Sequence, residues 1–136
     1  MQIKYSVENN LDVSEFREVL IASTLGERRP VDDMERLTAM ITNANLIVTA
    51  RDGSKLIGVA RSVTDFVYCT YLSDLAVHTS YQKMGIGTEL IRATKLAAPD
   101  ALLILLSAPK AVDYYPKTGM ERHDQCFILR DVTDLK

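Results

Sequence analysis

No tryptophan occurs in the chain, and only two cysteines, four prolines and six glycines do. Cys69 and Cys126 stand far apart, with neither metal-ligand nor redox spacing, so no metal is expected. Both lie in apolar runs that read as strands, which suits two buried free thiols. The chain also lacks repeats, linkers and low-complexity segments. A dominant charge is missing as well: 16 Lys and Arg face 18 Asp and Glu, a net charge of −2, which gives a nucleic-acid partner no electrostatic support. No apolar stretch reaches the roughly 18 residues of a membrane span. The start, Met1-Gln-Ile-Lys, lacks the charged and then hydrophobic regions of an export signal. These absences point to a cytoplasmic protein without a membrane partner. What is present, 136 residues with 47% apolar and 25% charged, suits one domain over residues 1–136.

Periodicity orders the elements. Ile3–Val7 reads as a strand. Asp12 and Glu15 form a capping box before a helix with Phe16, Val19, Leu20 and Ser23 on one face. Pro30 and Asp32 announce a second helix with Met34, Leu37, Met40 and Ile41 inward. Leu46–Arg51 and Lys55–Thr64 flank Asp52-Gly53, a hairpin signal, and Phe66–Val77 continues as a third antiparallel strand. A helix from Gly85 to Ala98 follows. Ala101–Ser107 is a continuous apolar run, as in a strand covered on both faces. Pro109 opens a helix to about Thr118 with Gly119 as its cap, and Cys126–Arg130 reads as a last strand. The order is β-α-α-β-β-β-α-β-α-β, an α/β (α+β) protein.

The most informative segment is Gln82-Lys83-Met84-Gly85-Ile86-Gly87-Thr88. It joins the apolar run ending at Val77 to a helical pattern of Ile86, Leu90, Ile91, Thr94 and Ala97. A strand turning through glycines into a helix offers backbone N–H groups at the positive end of the helix dipole, a phosphate site. The dinucleotide fingerprint needs a third glycine where Leu90 stands, and a triphosphate P-loop needs Gly-Lys-Ser/Thr where Gly87-Thr88-Glu89 stands. Neither motif is met.

The remaining pattern, Gln-x-x-Gly-x-Gly after a strand, resembles motif A of the GNAT superfamily of N-acetyltransferases, and the likeness runs from Asp74 to Ile91. Ala111–Met120 is similar to the family's helix ending Phe-Tyr-x-x-x-Gly-Phe, with Tyr114 in the Phe position, Tyr115 in the Tyr position and Met120 in place of the last Phe. An Asn that often contacts the cofactor is replaced by Ala108. The likeness is good over residues 46–120, and covers the N-terminal third only in element order.

The resemblance implies a mixed, mostly antiparallel sheet with helices on both faces and splayed central strands. It implies acetyl-CoA as cosubstrate, with its pyrophosphate on Gln82, Lys83, Met84, Gly85, Ile86, Gly87 and Thr88. The backbone of Leu75, Ala76 and Val77 would meet its carbonyl oxygen and pantetheine amides. Tyr115 takes the place of the proton donor to the departing thiolate. A phenol of pKa about 10 suits a thiol of pKa about 8.5. The base is left open between Asp74 on the central strand, His78 just after it, and a water chain to solvent. His123 belongs to no motif. Glu27-Arg28-Arg29, between the first two helices, is either a solvated loop or part of the acceptor pocket wall. Phe66, Tyr68 and Tyr71 are expected in the core or lining the pocket. The acceptor implied is a small-molecule primary amine, with a protein lysine or N-terminus as rival. A non-catalytic acyl-CoA-binding module is the reading from another class, and a homodimer is compatible with the family.

Overall fold

The computed structural model describes residues 2–136, in two compact units, Met1–Leu106 and Ser107–Lys136. The first unit is built on one five-stranded sheet in sequential order: β1 (Ile3–Val7), β2 (Leu46–Asp52), β3 (Lys55–Thr64), β4 (Cys69–Val77) and β5 (Leu102–Ile104). The first four strands pair antiparallel, and β5 joins β4 in parallel. Helices α1 (Val13–Ala22) and α2 (Met34–Asn43) precede β2, and α3 (Ile86–Ala97) connects β4 to β5. The sequence-derived α/β arrangement, mostly antiparallel with helices on both faces, is the one observed.

Two apolar clusters hold the sheet. Phe16, Leu20, Leu37 and Ile41 of α1 and α2 meet Ile47, Val59 and Ala76 on one side. Ile86 and Leu90 of α3 meet Val48, Ile57, Ala60 and Leu72 on the other. Gly58 sets the spacing there, because a Cβ on it would come within 3.1 Å of Leu90 Cδ1. Asp12 caps α1 by accepting from Glu15 N–H at 3.1 Å, but the Glu15 carboxylate does not complete the capping box. It pairs instead with Arg51, which also holds Glu8, tying α1 to β1 and β2. The hydrogen bond from Arg51 is the main cause that keeps Glu8 below the ordinary carboxylate range. The helix that Pro30 and Asp32 announce begins at Met34, capped by Asp33, which accepts from Arg36 N–H at 3.0 Å.

The third antiparallel strand starts at Cys69 and not at Phe66, because Asp65 gathers the intervening backbone into a turn. Its Oδ1 accepts from the N–H groups of Val67, Tyr68 and Cys69 at 3.0, 2.8 and 3.0 Å, with Phe66 in the left-handed region at φ 67°. Phe66 and Tyr68 in this turn are consequently exposed, at 44 and 80%, and Tyr71, inside β4, is 37% exposed. Cys69 at this strand end is exposed too. The backbone N–H groups hold the Asp65 carboxyl at about 2, below its ordinary 3.8. A carboxylate with a lowered folded-state pKa contributes stability above its unfolded pKa and loses it as pH falls toward the folded one. Asp65→Asn keeps the accepting oxygen and removes the titration. Thermal melts should therefore show wild type losing more stability than Asp65→Asn between pH 4 and 2. Equal losses would contradict this account of the turn.

The run Ala101–Ser107 is not a strand covered on both faces. Only Leu102–Ile104 forms a ladder, and Leu102 and Ile104 are 68 and 50% exposed, because β5 is the edge of the sheet. In the second unit the expected helix from Pro109 divides into a 3-10 turn, Pro109–Ala111, and a short α4 (Tyr114–Lys117). Gly119 caps α4 as expected: at φ 96° it lets its own N–H reach Pro116 O and Met120 N–H reach Tyr115 O. Residues 126–130 form no strand. A β-favouring sequence becomes a strand only when a ladder partner satisfies its backbone, and none pairs with it among the described residues. Cys126 there is exposed, contrary to the buried thiol expected. No helix of the described residues is long and apolar enough to cross a membrane.

Candidate active site

The turn after β4 is fastened at several points. His78 N–H donates to Ile57 O at 2.8 Å, and His78 Nδ1 accepts from Ser80 N–H at 3.1 Å. Tyr81 Oη donates to Asp52 Oδ2 at 2.6 Å, a bond that, ahead of burial, raises the pKa of the phenol. Gln82 Nε2 donates to Val77 O at 3.0 Å, so this side chain closes the turn onto the end of β4.

Within this frame Lys83 and Gly85 are both left-handed, at φ 64° and 80°. Lysine is rarely found there, and such an outlier is retained where the surroundings impose it and function uses it. Alternating left-handed residues turn successive N–H groups to one side, forming a concavity for an anion. Gly85 is the N-cap of α3 with no side chain bonded there, and the helical ladder begins at Glu89 N–H to Gly85 O, 3.1 Å. The Ile86 and Gly87 amides precede that first bond. Gln82, Lys83, Met84 and Gly85 are exposed, and Gly87 and Thr88 are half-buried. The segment thus has the backbone geometry of an anion site, and the exposed Lys83 adds a positive charge to the turn.

One strand away, β4 loses a neighbour. It pairs with β5 only over Cys69, Thr70 and Tyr71, so from Leu72 onward the β5-side edge has no ladder partner among the described residues. Its other edge stays paired: Leu75, Ala76 and Val77 face Ala60, Val59 and Gly58 of β3. The two central strands thus part after Tyr71, as the resemblance implies, and Leu75–Val77 keep one edge without a strand partner among the described residues.

Asp74 lies fully buried between two arginines. Its Oδ1 accepts from Arg29 Nε at 2.5 Å and its Oδ2 from Arg61 Nε. Both carboxylate oxygens are thus already taken by guanidinium donors, in the interior of the first unit. Arg29 is likewise no solvated loop residue, whereas Glu27 and Arg28 are exposed. His78 has one ring nitrogen committed to the turn and packs edge-on to Tyr81. It borders a cleft of about 220 Å³ that also touches Glu15, Glu18, Lys55 and Leu56. The sequence reading missed the Arg29 and Arg61 partnership. The available signal was an Asp inside the apolar run of β4 and an Arg inside that of β3, opposite charges each in a place made for apolar side chains.

In the second unit, Tyr115 packs its ring edge-on to Tyr114, with centroids 5.1 Å apart. Burial, and then the neighbouring Tyr114, raise its phenol above the ordinary 10, so it holds its proton at neutral pH. Ala108, in place of the family's Asn, precedes the Pro109–Ala111 turn. Among the described residues no group of His, Cys, Asp and Glu is arranged to hold a metal ion.

The family model described as acetyltransferase (GNAT) family matches residues 13–120. This chain belongs to the GNAT acetyltransferase family, whose acyl donor is acetyl-CoA. Solved structures repeat the fold at low identity. A GNAT-family acetyltransferase from Streptococcus pneumoniae TIGR4 is 23% identical, with a TM-score of 0.76 over 96% of this chain and 100% of that one. An aminoglycoside acetyltransferase from an uncultured soil metagenomic sample, in complex with sisomicin, is 22% identical, with a TM-score of 0.71 over 98 and 97%. Aminoglycoside N-acetyltransferase AAC(6')-Iy, in complex with CoA, is 14% identical, with a TM-score of 0.74 over 96 and 95%.

Proposed function

We propose that residues 1–136 act as one catalytic domain that transfers the acetyl group of acetyl-CoA directly to a primary amine of a small molecule. One observation carries this reading: an exposed turn with Lys83 and Gly85 left-handed opens α3, beside the strand edge that β5 leaves at Leu72. The turn suits the donor's pyrophosphate, and the Leu75–Val77 edge suits its amide chain and carbonyl oxygen. Bound there, acetyl-CoA supplies a thioester whose acyl carbon an uncharged amine attacks.

The chain's residues then have distinct tasks. The Leu75–Val77 backbone orients the donor and offers N–H groups where negative charge develops on oxygen. An amine of pKa near 10 is about 99.9% protonated at pH 7, so a proton must leave before attack. With Asp74 ion-paired and His78 Nδ1 engaged, we assign that proton to water. Tyr115, protonated at neutral pH, gives its proton to the departing thiolate. No cysteine occupies a nucleophile's position in either motif, which favours a ternary complex over a covalent acetyl-enzyme. The aminoglycoside enzymes sharing the fold support a small-molecule acceptor over a protein one.

Incubating the protein with acetyl-CoA and a panel of small amines and lysine peptides, with thiol release followed, tests the reading. CoA should also raise the melting temperature by several degrees, since a ligand at a hundredfold excess over its dissociation constant adds about 2.7 kcal/mol. Binding of CoA without turnover on any amine would leave an acyl-CoA-binding module. A shift with NAD or ATP and none with CoA would remove the donor assignment.

A further inference from the structure

Asp74 and its arginines have no part in the proton transfers above, yet Asp74 and Arg61 are buried, with Arg29 partly so, where β4 departs from regular pairing. Arg61 faces Asp74 and Ser62 faces Leu72, so Ser73 is one residue extra on β4. Such a bulge reverses the alternation of side chains and re-aims those that follow. Leu72 packs in the cluster under α3, as do Leu75 and Val77 at its margin, while Ala76 packs in the cluster under α1 and α2. Under regular alternation Leu72 and Ala76, four positions apart, would share a face; the bulge puts them on opposite ones.

The arginines hold this bulge directly. Arg29 Nη2 donates to Ser73 O at 2.8 Å, and Arg61 Nη2 donates to Ser73 Oγ at 3.1 Å. Their Nε–H groups take the two oxygens of Asp74, and Arg61 Nη1 reaches Met40 O of α2 at 3.2 Å. Burying a carboxylate between guanidiniums adds little stability, because desolvation offsets the attraction, and apolar side chains of similar volume often do as well. A planar guanidinium fork with several fixed donors supplies direction instead. Here the forks converge on the one irregular residue of the strand, beside the point where β5 ends its pairing.

We infer that Arg29, Arg61 and Asp74 are positioning residues: they fix the Ser73 bulge and thereby aim the backbone N–H groups of Leu75–Val77 at the donor's acyl carbonyl. The inference rests on the acetyltransferase reading. It adds that the segment between α1 and α2, through Arg29, is coupled to the geometry of the reacting strand. The test is Arg29→Gln in the full chain, since Arg29 is partly exposed and Arg61 remains to pair with Asp74. Arg29→Lys serves as the conservative variant. In Arg29→Gln the rate constant should fall at least tenfold with the dissociation constant of CoA within threefold, because the phosphate turn is untouched. Arg29→Lys should recover part of the rate. Hydrogen exchange should quicken at residues 72–77 and stay unchanged in β2, a pattern that general loss of stability would not produce. A rate within twofold of wild type, or faster exchange across the whole sheet, overturns the positioning role alone. Wild-type protein that binds CoA but acetylates no amine removes the enzymatic reading, and this inference with it.

Discussion

Tyr115→Phe is expected to lower the maximal rate of acetyl transfer by ten- to a thousandfold, within or just below the usual range for a general acid. Only one oxygen is removed. The ring stays against Tyr114, and the Tyr115 carbonyl still accepts from Thr118 N–H at 3.0 Å and Met120 N–H at 3.3 Å, bonds that close α4. Acetyl-CoA affinity and melting temperature should therefore move little, and the loss should fall on the rate constant. The raised pKa of the phenol means that no fraction is lost to ionisation near neutral pH. Steady-state kinetics with a true acceptor, with chemistry shown to be rate-limiting, decides the matter. A rate within twofold of wild type would mean that another donor protonates the thiolate.

Gly85→Val should raise the dissociation constant for acetyl-CoA at least tenfold, about 1.4 kcal/mol. A Cβ built on Gly85 meets nothing of the protein within 4 Å, so the site can hold a side chain without internal clash. Two other effects act. The backbone at φ 80° is one that a β-branched residue strongly resists, so the turn would relax and its N–H groups would lose their common direction. The open space beside the turn is also where the pyrophosphate is proposed to lie. Gly85→Asn separates the two, because asparagine tolerates left-handed backbone. If only the backbone matters, Asn binds CoA nearly as well as Gly; if the space matters, it binds weakly. Titration calorimetry on folded variants gives the answer, and unchanged affinity in Gly85→Val would place the donor elsewhere.

What the sequence revealed follows the range of the forces involved. The bounds of β1 and β3, the Asp12 cap and the Gly119 cap depend on neighbours a few residues away, and all were legible. The turn that opens α3 was legible as well, because its glycines and the helix after it are contiguous. The Arg29–Asp74–Arg61 group was not: its partners lie 45 and 13 residues from Asp74, and only the folded sheet brings them together. The Asp65 turn shows a different failure. A strand pattern of apolar and aromatic residues ran through Phe66 and Tyr68, but one carboxylate taking three N–H groups outweighed it. At β5 the strand was legible but its exposure was not, and residues 126–130, expected as a strand, form none, because coverage and pairing depend on neighbours that no local pattern specifies.

The sheet of the first unit also works as a partition. The cluster beneath α1 and α2 and the one beneath α3 draw on different side chains of the same strands, joined only through backbone. Apart from the Ser73 bulge, where Arg29 and Arg61 act on the strand itself, volume changes on one side are thus buffered from the other. A lineage can rebuild the rest of the layer beneath α1 and α2, residue by residue, while the layer beneath α3 keeps its shape.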